Sequence, residues 1–315
     1  MATLLSFDKL GYEEQSKNAD LLNKAMDMSI ERYSTVPLEG EKLVRKETNV
    51  TGGVYKEFTV GNVLGLPVEA EDTDALPVDT AAPGYDITAT MVEYRLGLFV
   101  PKSMFEDAVH QKMNYIVSGL PDAAARRIEL AIKYYVTNMF ATAAGADGMY
   151  WCDTDHPNEN PETGTWDNLT TGPLSHATFS AARTMQAKLT DERGFVMPVT
   201  PNALWVGPDT QEAGEIIRQS EKVSGGSLND PNVINNGWTV EVYHRMPTTT
   251  QWFVTGQPKG AGQIKKGLVY AEQVAPQILP VLNVDTSVIP FAKQLRMRYG
   301  MALGTDKTIV GSVGT

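Results

Sequence analysis

The residues best suited to chemistry lie close together in one polar segment. Asp153, Asp155 and His156 place two carboxylates and an imidazole within four positions. Ligands of these types at such short spacing can bind a divalent metal ion. The simpler interpretation is a polar loop without a metal, shaped by Asp side chains and by Pro157. We favour the loop, and we therefore expect no metal, no cofactor and no catalytic residues; a metal-dependent cytoplasmic enzyme is the alternative.

The other candidate nucleophiles and bases do not form a known catalytic motif. The chain has His110, His156, His176 and His244, but no Gly-x-Ser-x-Gly elbow and no Gly-x-x-x-x-Gly-Lys phosphate loop. Its single cysteine, Cys152, cannot form an internal disulfide and is interpreted as a small, partly buried side chain. The sequence thus favours a protein that is not an enzyme.

The composition is that of an ordinary globular protein. The chain has 315 residues, of which 42% are hydrophobic and 21% charged, and its formal net charge is −11. No run of 18 apolar residues predicts a membrane span, and the first residues do not resemble a signal peptide. The acidic balance argues against a protein whose main task is to grip DNA phosphates.

The N-terminal third predicts an arm and a projecting loop. Residues 15–33 form an amphipathic pattern with Leu22, Met26, Ile30 and Tyr33 on one face. Strands are predicted at 53–60 and 86–100, and the segment between them contains prolines and glycines but no Lys or Arg. Its charge repulsion favours an extended loop that lies on a neighbouring chain. The acids from 57 to 86 are Glu57, Glu69, Glu71, Asp72, Asp74, Asp79 and Asp86.

Two helices are predicted next, and the second is long. The first runs over 102–116, and the second begins at Pro121 and ends near 144, where Gly145 can follow it. The spacing of the apolar residues in the second helix predicts a buried stripe, and its length is typical of a structural spine. The stripe consists of Ile128, Ala131, Ile132, Tyr135 and Met139.

The remaining chain predicts a mixed α/β region after a polar loop at 146–175. Helices are expected at 176–190 and 210–221, the latter with a capping box from Asp209 and Glu212. A Gly/Asn-rich loop is expected at 224–237. Strands are expected at 203–206, 238–243, 251–255, 267–271, 291–303 and 307–312. In strand 291–303, Gln294, Arg296 and Arg298 alternate with an apolar face.

This order of parts resembles the major capsid proteins of tailed bacteriophages with the Hong Kong 97 fold, especially the Mu-like major head subunits. Four stretches carry the resemblance, which covers residues 15 to 312. They are Tyr94-Arg-Leu-Gly-Leu-Phe-Val-Pro-Lys-Ser-Met-Phe-Glu-Asp107, Asp153-Thr-Asp-His-Pro157, Asn202-Ala-Leu-Trp-Val-Gly-Pro208 and Gly237-Trp-Thr-Val-Glu-Val-Tyr243. The order of the parts is more informative than any single motif.

The resemblance implies an α+β subunit in four parts. These are an N-terminal arm (1–53), an extended loop (54–95), a peripheral domain with the spine helix (96–149 and 281–315) and an axial domain (150–280). Some family members link subunits covalently through a lysine in the extended loop. Because residues 57–86 contain no lysine, we do not expect that bond here.

The resemblance also implies a function and partners. Hexamers and pentamers of the chain would form an icosahedral shell around double-stranded phage DNA, bound without sequence specificity. The shell would be assembled in the bacterial cytoplasm with a separate scaffolding protein, a portal and decoration proteins, and it would form the virion capsid. An encapsulin-like compartment that encloses protein is the alternative shell.

Segregated charges predict where subunits meet. We expect the acidic loop residues Glu69, Glu71, Asp72, Asp74 and Asp79 to contact basic residues of a neighbouring chain. The expected basic residues are Arg126 and Arg127 on the spine, and Arg296 and Arg298 on the last long strand.

Overall fold

The computed structural model describes residues 38–58, 69, 78, 84–100, 110–142, 144–158, 164–190, 196–197, 199–223, 230–258, 266–281 and 291–314. The predicted arm helix at 15–33 and the middle of the extended loop lie outside these residues. In the described part, α-helices are α1 (His110–Thr137), α2 (His176–Ala187) and α3 (Gln211–Gln219). Short 3₁₀ turns occupy Glu41–Leu43 and Pro208–Thr210.

The described strands form two main sheets and two hairpins. They are β1 (Arg45–Glu47), β2 (Val54–Phe58), β3 (Asp86–Thr90), β4 (Val92–Val100), β5 (His156–Pro157), β6 (Thr165–Trp166), β7 (Leu169–Thr170), β8 (Val199–Val206), β9 (Thr239–Val242), β10 (Trp252–Pro258), β11 (Leu268–Pro280), β12 (Phe291–Leu303) and β13 (Ile309–Ser312). The sheet orders are β1-β11-β12-β4 and β7-β13-β10-β8-β9; the hairpins are β2-β3 and β5-β6.

Helix α1 covers one face of the four-stranded sheet. Its buried side chains Ile128, Ile132 and Val136 join a cluster with Leu295 and Met297 of β12. The alternation predicted for 291–303 is confirmed, because Leu295, Met297 and Tyr299 are buried while Arg296 and Arg298 are only partly buried. Each large aliphatic side chain buried here contributes about 1.5–3 kcal/mol, so this contact is a substantial part of the core.

The prediction that Pro121 begins a helix is wrong. Pro121 lies inside α1, whose 28 residues form one rod of about 42 Å. An internal proline typically costs about 3 kcal/mol or more. Burial of Leu120, Ala124 and Ile128 along the same helix offsets that cost. The helix ends at Thr137, not at 144, and the Asn138 side-chain amide donates to the Tyr134 carbonyl at 2.7 Å. Residues 102–109 lie outside the described part.

A hairpin packs on the opposite face of the same sheet. Strands β2 and β3 pair from Val54 with Thr90 to Phe58 with Asp86. The strand predicted at 86–100 is divided at buried Met91, where the chain leaves the hairpin and enters the sheet as β4. Ile87, Ala89 and Met91 pack on Val269, Ala271 and Ala302. The structure thus describes the base of the extended loop and fixes it to the sheet.

The five-stranded sheet carries α2 and α3. Phe179 of α2 and Ile217 of α3 share a cluster with Leu204 and Trp252 of the central strands. Helix α2 has a capping box in which Ser175 accepts from the Thr178 N–H. The capping box predicted from Asp209 and Glu212 is wrong. Asp209 lies in a 3₁₀ turn, and Thr210 becomes the N-cap without a side-chain bond.

The pairing of β11 and β13 can be compared with the predicted division into domains. β11 is longer than the predicted strand at 267–271 and pairs with β12 over most of its length. β13 pairs with β10 in the five-stranded sheet. Strands from the predicted axial and peripheral parts therefore share sheets, and the boundaries of those parts stay a prediction. No helix in the described ranges is long and apolar enough to cross a membrane.

Gly300 allows the hairpin to approach the sheet, which gives a stability prediction. A Cβ added at Gly300 would lie 2.6 Å from the Thr90 carbonyl oxygen, a backbone atom that cannot rotate away. We expect Gly300→Ala to lower the free energy of unfolding by about 1–3 kcal/mol. Urea denaturation followed by circular dichroism measures this change.

Gly119 provides the matched control. It lies in α1, and a Cβ there would meet nothing within 4 Å. Gly119→Ala should therefore stabilise the protein by about 0.5–1 kcal/mol through helix propensity. Equal effects of the two substitutions would contradict the close approach of Thr90 to β12.

Candidate assembly surfaces

The acidic side of the predicted inter-subunit contact is mostly outside the described residues. Glu71, Asp72, Asp74 and Asp79 are not described, and Glu69 is described as exposed. The first acid of the segment, Glu57, is already engaged within the chain, where Arg45 donates to it at 3.0 Å. The Tyr55 hydroxyl also donates to Glu57, at 2.8 Å. Glu57 thus fixes the loop base to β1.

The two arginines predicted on the spine have different surroundings. Both Arg126 and Arg127 are exposed on α1. The Arg127 guanidinium lies 4.4 Å from the centre of the Tyr94 ring on β4, so a cation–π contact holds it within the chain. Arg126 lines a small cavity next to Glu129 and Leu38. The structure therefore leaves Arg126 the more available of the two.

Arg296 also has a partner in its own chain. Its Nε donates to Glu93 Oε1 at 2.6 Å, and Arg95 Nε donates to the same oxygen at 2.8 Å. Hydrogen bonds from Arg95 and Arg296 lower the pKa of Glu93 to about 2, and the bond from Arg95 has the larger effect. Sequence reasoning missed Glu93, although it lies on the outer face of β4 by simple alternation. Arg298 lies on the same outer face of β12, and its buried Nε has no hydrogen-bond partner among the described residues.

A second polar cluster joins α1 to the segments around Gly40 and Arg245, and sequence reasoning missed it. The Glu129 side chain is 3% exposed, and its Oε1 accepts from the Gly40 N–H at 3.1 Å. Arg245 lies 3.6 Å from Glu129 and 3.3 Å from Glu39. Burial raises the pKa of Glu129 above its ordinary value. In the sequence, Glu129 was an acid next to the predicted buried stripe of the spine helix.

The Asp153–His156 loop is a closed hydrogen-bond network. The His156 ring is 3% exposed and stacks on Trp166, with 4.1 Å between ring centres. Its Nδ1 lies 2.6 Å from Asp147 Oδ2, and its Nε2 lies 3.1 Å from Asn168 Oδ1. Asn168 Oδ1 also accepts from the Asp153 N–H, so Nε2 must donate.

This network leaves no ligand set for the metal hypothesis. Both nitrogens of His156 are occupied, and Asp155 points to solvent with a local bond from Thr154. Among the described residues, no group of three or more His, Cys, Asp or Glu side chains is arranged to hold a metal ion. Cys152 is fully buried, and burial raises its pKa well above the usual value, so the thiol stays protonated and unreactive.

Comparison with known proteins identifies the family of the chain. The family described as Phage capsid protein matches residues 102–308, about two thirds of the sequence. The chain belongs to the phage capsid protein family. The matched region contains the three described α-helices and strands β5 to β12, so the family assignment and most of the described fold concern the same part of the capsid protein.

Solved capsid structures share the fold at low sequence identity. The capsid of an empty GTA particle is 14% identical with a TM-score of 0.54, covering 87% of this chain and 89% of that chain. The capsid of cyanophage Pam1 is 11% identical with a TM-score of 0.52, covering 87% and 91%. The capsid of Ralstonia phage GP4 is 10% identical with a TM-score of 0.51, covering 86% of each chain. No curated protein sequence matches.

These findings confirm the predicted capsid family and the Hong Kong 97 fold. The capsid protein is a structural protein of the tailed-phage type. The narrower likeness to Mu-like head subunits stays a prediction. The contact residues predicted from charge also stay predictions, and two of them, Arg127 and Arg296, already have partners within the chain.

The His156 network predicts a large loss of stability on substitution. His156→Phe keeps a ring against Trp166 but removes the imidazole from the buried Asp147 carboxylate, which then keeps only its hydrogen bond from the Met149 N–H. We expect the free energy of unfolding to fall by about 3–5 kcal/mol. The exposed control Asp155→Asn should change it by less than about 0.5 kcal/mol. If both variants unfold at the same urea concentration as the original chain, the network does not stabilise this loop.

Glu129 predicts a dependence of stability on pH. Because its pKa is raised in the folded state, the folded chain holds a proton that the unfolded chain releases above about pH 4.5. That contribution to stability is fully present at lower pH and is lost as pH rises toward the raised pKa. Glu129→Gln keeps a hydrogen-bond acceptor for Gly40 and removes this loss.

The stability of Glu129→Gln relative to the original chain should therefore increase with pH above about 4.5 and then level off. Urea denaturation at several pH values measures the difference. Glu212→Gln, at an exposed position on α3, is the control for removing a negative charge. A difference that is constant across the pH range would show that burial does not perturb Glu129.

Proposed function

We propose that this capsid protein is the major subunit of an icosahedral phage shell built from hexamers and pentamers. The observation that carries the proposal is the family match over residues 102–308 together with a capsid fold that extends over most of the chain. The role is structural and needs no cofactor. Encapsulin-like enclosure of protein cargo is the alternative that experiment must separate.

The proposal assigns a role to each sheet. The four-stranded sheet with α1 would form the peripheral domain, and the five-stranded sheet with α2 and α3 would form most of the axial domain. The β2–β3 hairpin would be the root of the extended loop, with its acidic residues reaching a neighbouring subunit. On this division β11 joins the peripheral domain and β13 the axial domain.

The proposed cargo is double-stranded DNA, held without sequence specificity. A net charge of −11 supports a wall that does not grip phosphates and lets packaged DNA move. Assembly in a bacterial host would use separate scaffolding, portal and decoration proteins before the subunit takes its place in the virion. Burial of apolar surface between subunits and complementary charge would drive assembly.

Electron microscopy of the purified protein, with size-exclusion chromatography, tests the proposal. Closed particles or rings of five and six subunits are the expected result, and nucleic acid inside particles recovered from infected cells would identify the cargo. Protein cargo instead would support the encapsulin-like alternative. A monomer or dimer at high concentration, with candidate scaffolding proteins added, would overturn the shell.

Reversal of the charges at Arg296 and Arg298 predicts an assembly defect. Both residues lie on the outer face of β12, so Arg296→Glu with Arg298→Glu should leave the fold intact. We expect the yield of closed particles to fall at least tenfold, because acidic loop residues would meet like charges. Circular dichroism checks the fold, and sedimentation velocity measures assembly.

The ion pair with Glu93 requires its own control. Glu93→Gln removes the intrachain partner of Arg296 and keeps the arginine. Normal assembly of Glu93→Gln beside failure of the arginine variant would assign Arg296 to a contact between subunits. If Glu93→Gln fails to the same extent, the intrachain pair is what assembly requires, and the proposed contact is wrong.

A further inference from the structure

The loop before β9 contains the only Asn-Gly dipeptide of the chain. Asn236 and Gly237 are both exposed and end the Gly/Asn-rich segment predicted at 224–237. Gly237 has a φ of +88°, and a Cβ built there would meet nothing within 4 Å. Asparagine is a thermolabile residue, and a following glycine has no side chain to shield its peptide nitrogen. The structure therefore leaves open space around a dipeptide that can react with itself.

The two groups that would react are held only weakly. Among the described residues, the Gly237 N–H has no hydrogen-bond partner, so no acceptor keeps its proton in place. The Asn236 side-chain amide donates to Asn235 Oδ1 at 3.0 Å, an exposed contact between neighbours that water can replace. Neither group has to leave a buried partner before the two can meet.

The Asp147-Gly148 dipeptide can undergo the same ring closure, but the fold holds both of its groups. The Gly148 N–H donates to the Gly145 carbonyl at 3.1 Å. The Asp147 side chain is 1% exposed, and its two oxygens lie 3.2 Å from the Met149 N–H and 2.6 Å from His156 Nδ1. The nitrogen and the carboxyl group are therefore both engaged here, in contrast to the loop before β9.

We propose that Asn236 is a site of spontaneous deamidation in the folded subunit. The Gly237 nitrogen loses its proton to solvent base and attacks Asn236 Cγ. The new N–Cγ bond replaces the Cγ–Nδ2 bond, and the amide nitrogen takes up a proton and leaves as ammonia. One water molecule then opens the succinimide, at Cγ to give aspartate or at the main-chain carbonyl carbon to give isoaspartate. Nothing is oxidised or reduced, and the step does not rest on the proposed shell.

Isoaspartate would disturb this loop beyond the effect of its negative charge. The main chain would run through the former Cβ–Cγ bond and gain one carbon between positions 236 and 237. Trp238 Nε1 closes the loop by donating to the Ile234 carbonyl at 2.6 Å. Trp238 is also 6% exposed, with its ring centre 4.4 Å from that of Phe179. A longer chain between these fixed points must change the contact of Trp238 with Ile234.

Peptide mapping by mass spectrometry tests the site in the full-length protein, incubated in mildly alkaline buffer. The amide at Asn236 should be converted to an acid at least about tenfold faster than that at Asn235, whose following residue carries a side chain. Gly237→Ala places a Cβ beside the attacking nitrogen and should slow the conversion at least about tenfold, with circular dichroism to check the fold. Val233→Ala, at an 84% exposed position of the same loop, is the control and should leave the rate unchanged.

Unfolding in urea shows whether the structure decides which dipeptide reacts. In the native protein, isoaspartate should form at position 236 and not at position 147, whereas in concentrated urea it should form at both. If Asn236 stays intact in the native protein but converts in urea, the folded loop protects it and the proposal is overturned. Native reaction at position 147 at its rate in urea would overturn the role given to the hydrogen bonds there.

Hydrogen exchange measures the effect on the loop. The isoaspartate form, separated by anion exchange, should exchange the amides of residues 234–238 at least about fivefold faster than the original chain. Freshly purified Asn236→Asp carries the same charge without the extra main-chain carbon and should exchange like the original. Equal exchange in the isoaspartate form and in Asn236→Asp would overturn the inferred change between Trp238 and Ile234.

Discussion

The contact between α1 and the four-stranded sheet is the interaction on which the rest of the structure depends. Ile128, Ile132 and Val136 meet the apolar side of β12, and the same cluster extends to Phe253 and Ile309 of the five-stranded sheet. One helix therefore joins both sheets through a common apolar core. The polar features of the molecule are arranged around this core, because none of them stabilises the fold as much as its burial does.

Burial of α1 explains which parts of the fold could be predicted from the sequence. Strong periodicity reports the side that faces the core, so strand 291–303 and the apolar stripe of the spine were predicted correctly. Pro121 led to a wrong helix start. Proline does destabilise a helix interior, but burial of the neighbouring apolar side chains outweighs that cost. Asp209 misled similarly, since a 3₁₀ turn moved the helix start by one residue. Local rules fail where tertiary packing outweighs them.

The polar contacts were less predictable, for a different reason. Residues 9 to 89 positions apart in sequence form them: His156 with Asp147, and Gly40 with Glu129. No local sequence pattern predicts such distant partners. The sequence did indicate one member of each pair, Glu129 as an acid beside an apolar stripe and His156 as part of a short polar motif. Asp153, Asp155 and His156 suggested a metal site because the short motif does not include Asp147 and Asn168. These two residues occupy the imidazole nitrogens in the folded chain.

Several charges of the capsid protein hold parts of one chain together. Glu93 receives hydrogen bonds from both Arg95 and Arg296, and Glu57 receives them from Arg45 and Tyr55. A charge satisfied in this way gains less from a second partner, because the first contact has already removed part of its hydration. Surfaces for assembly are therefore best sought among charges whose chain leaves them exposed beside apolar groups. In the described structure, Arg126 is exposed one turn from the exposed Leu130, and it meets that condition better than Arg127 or Arg296.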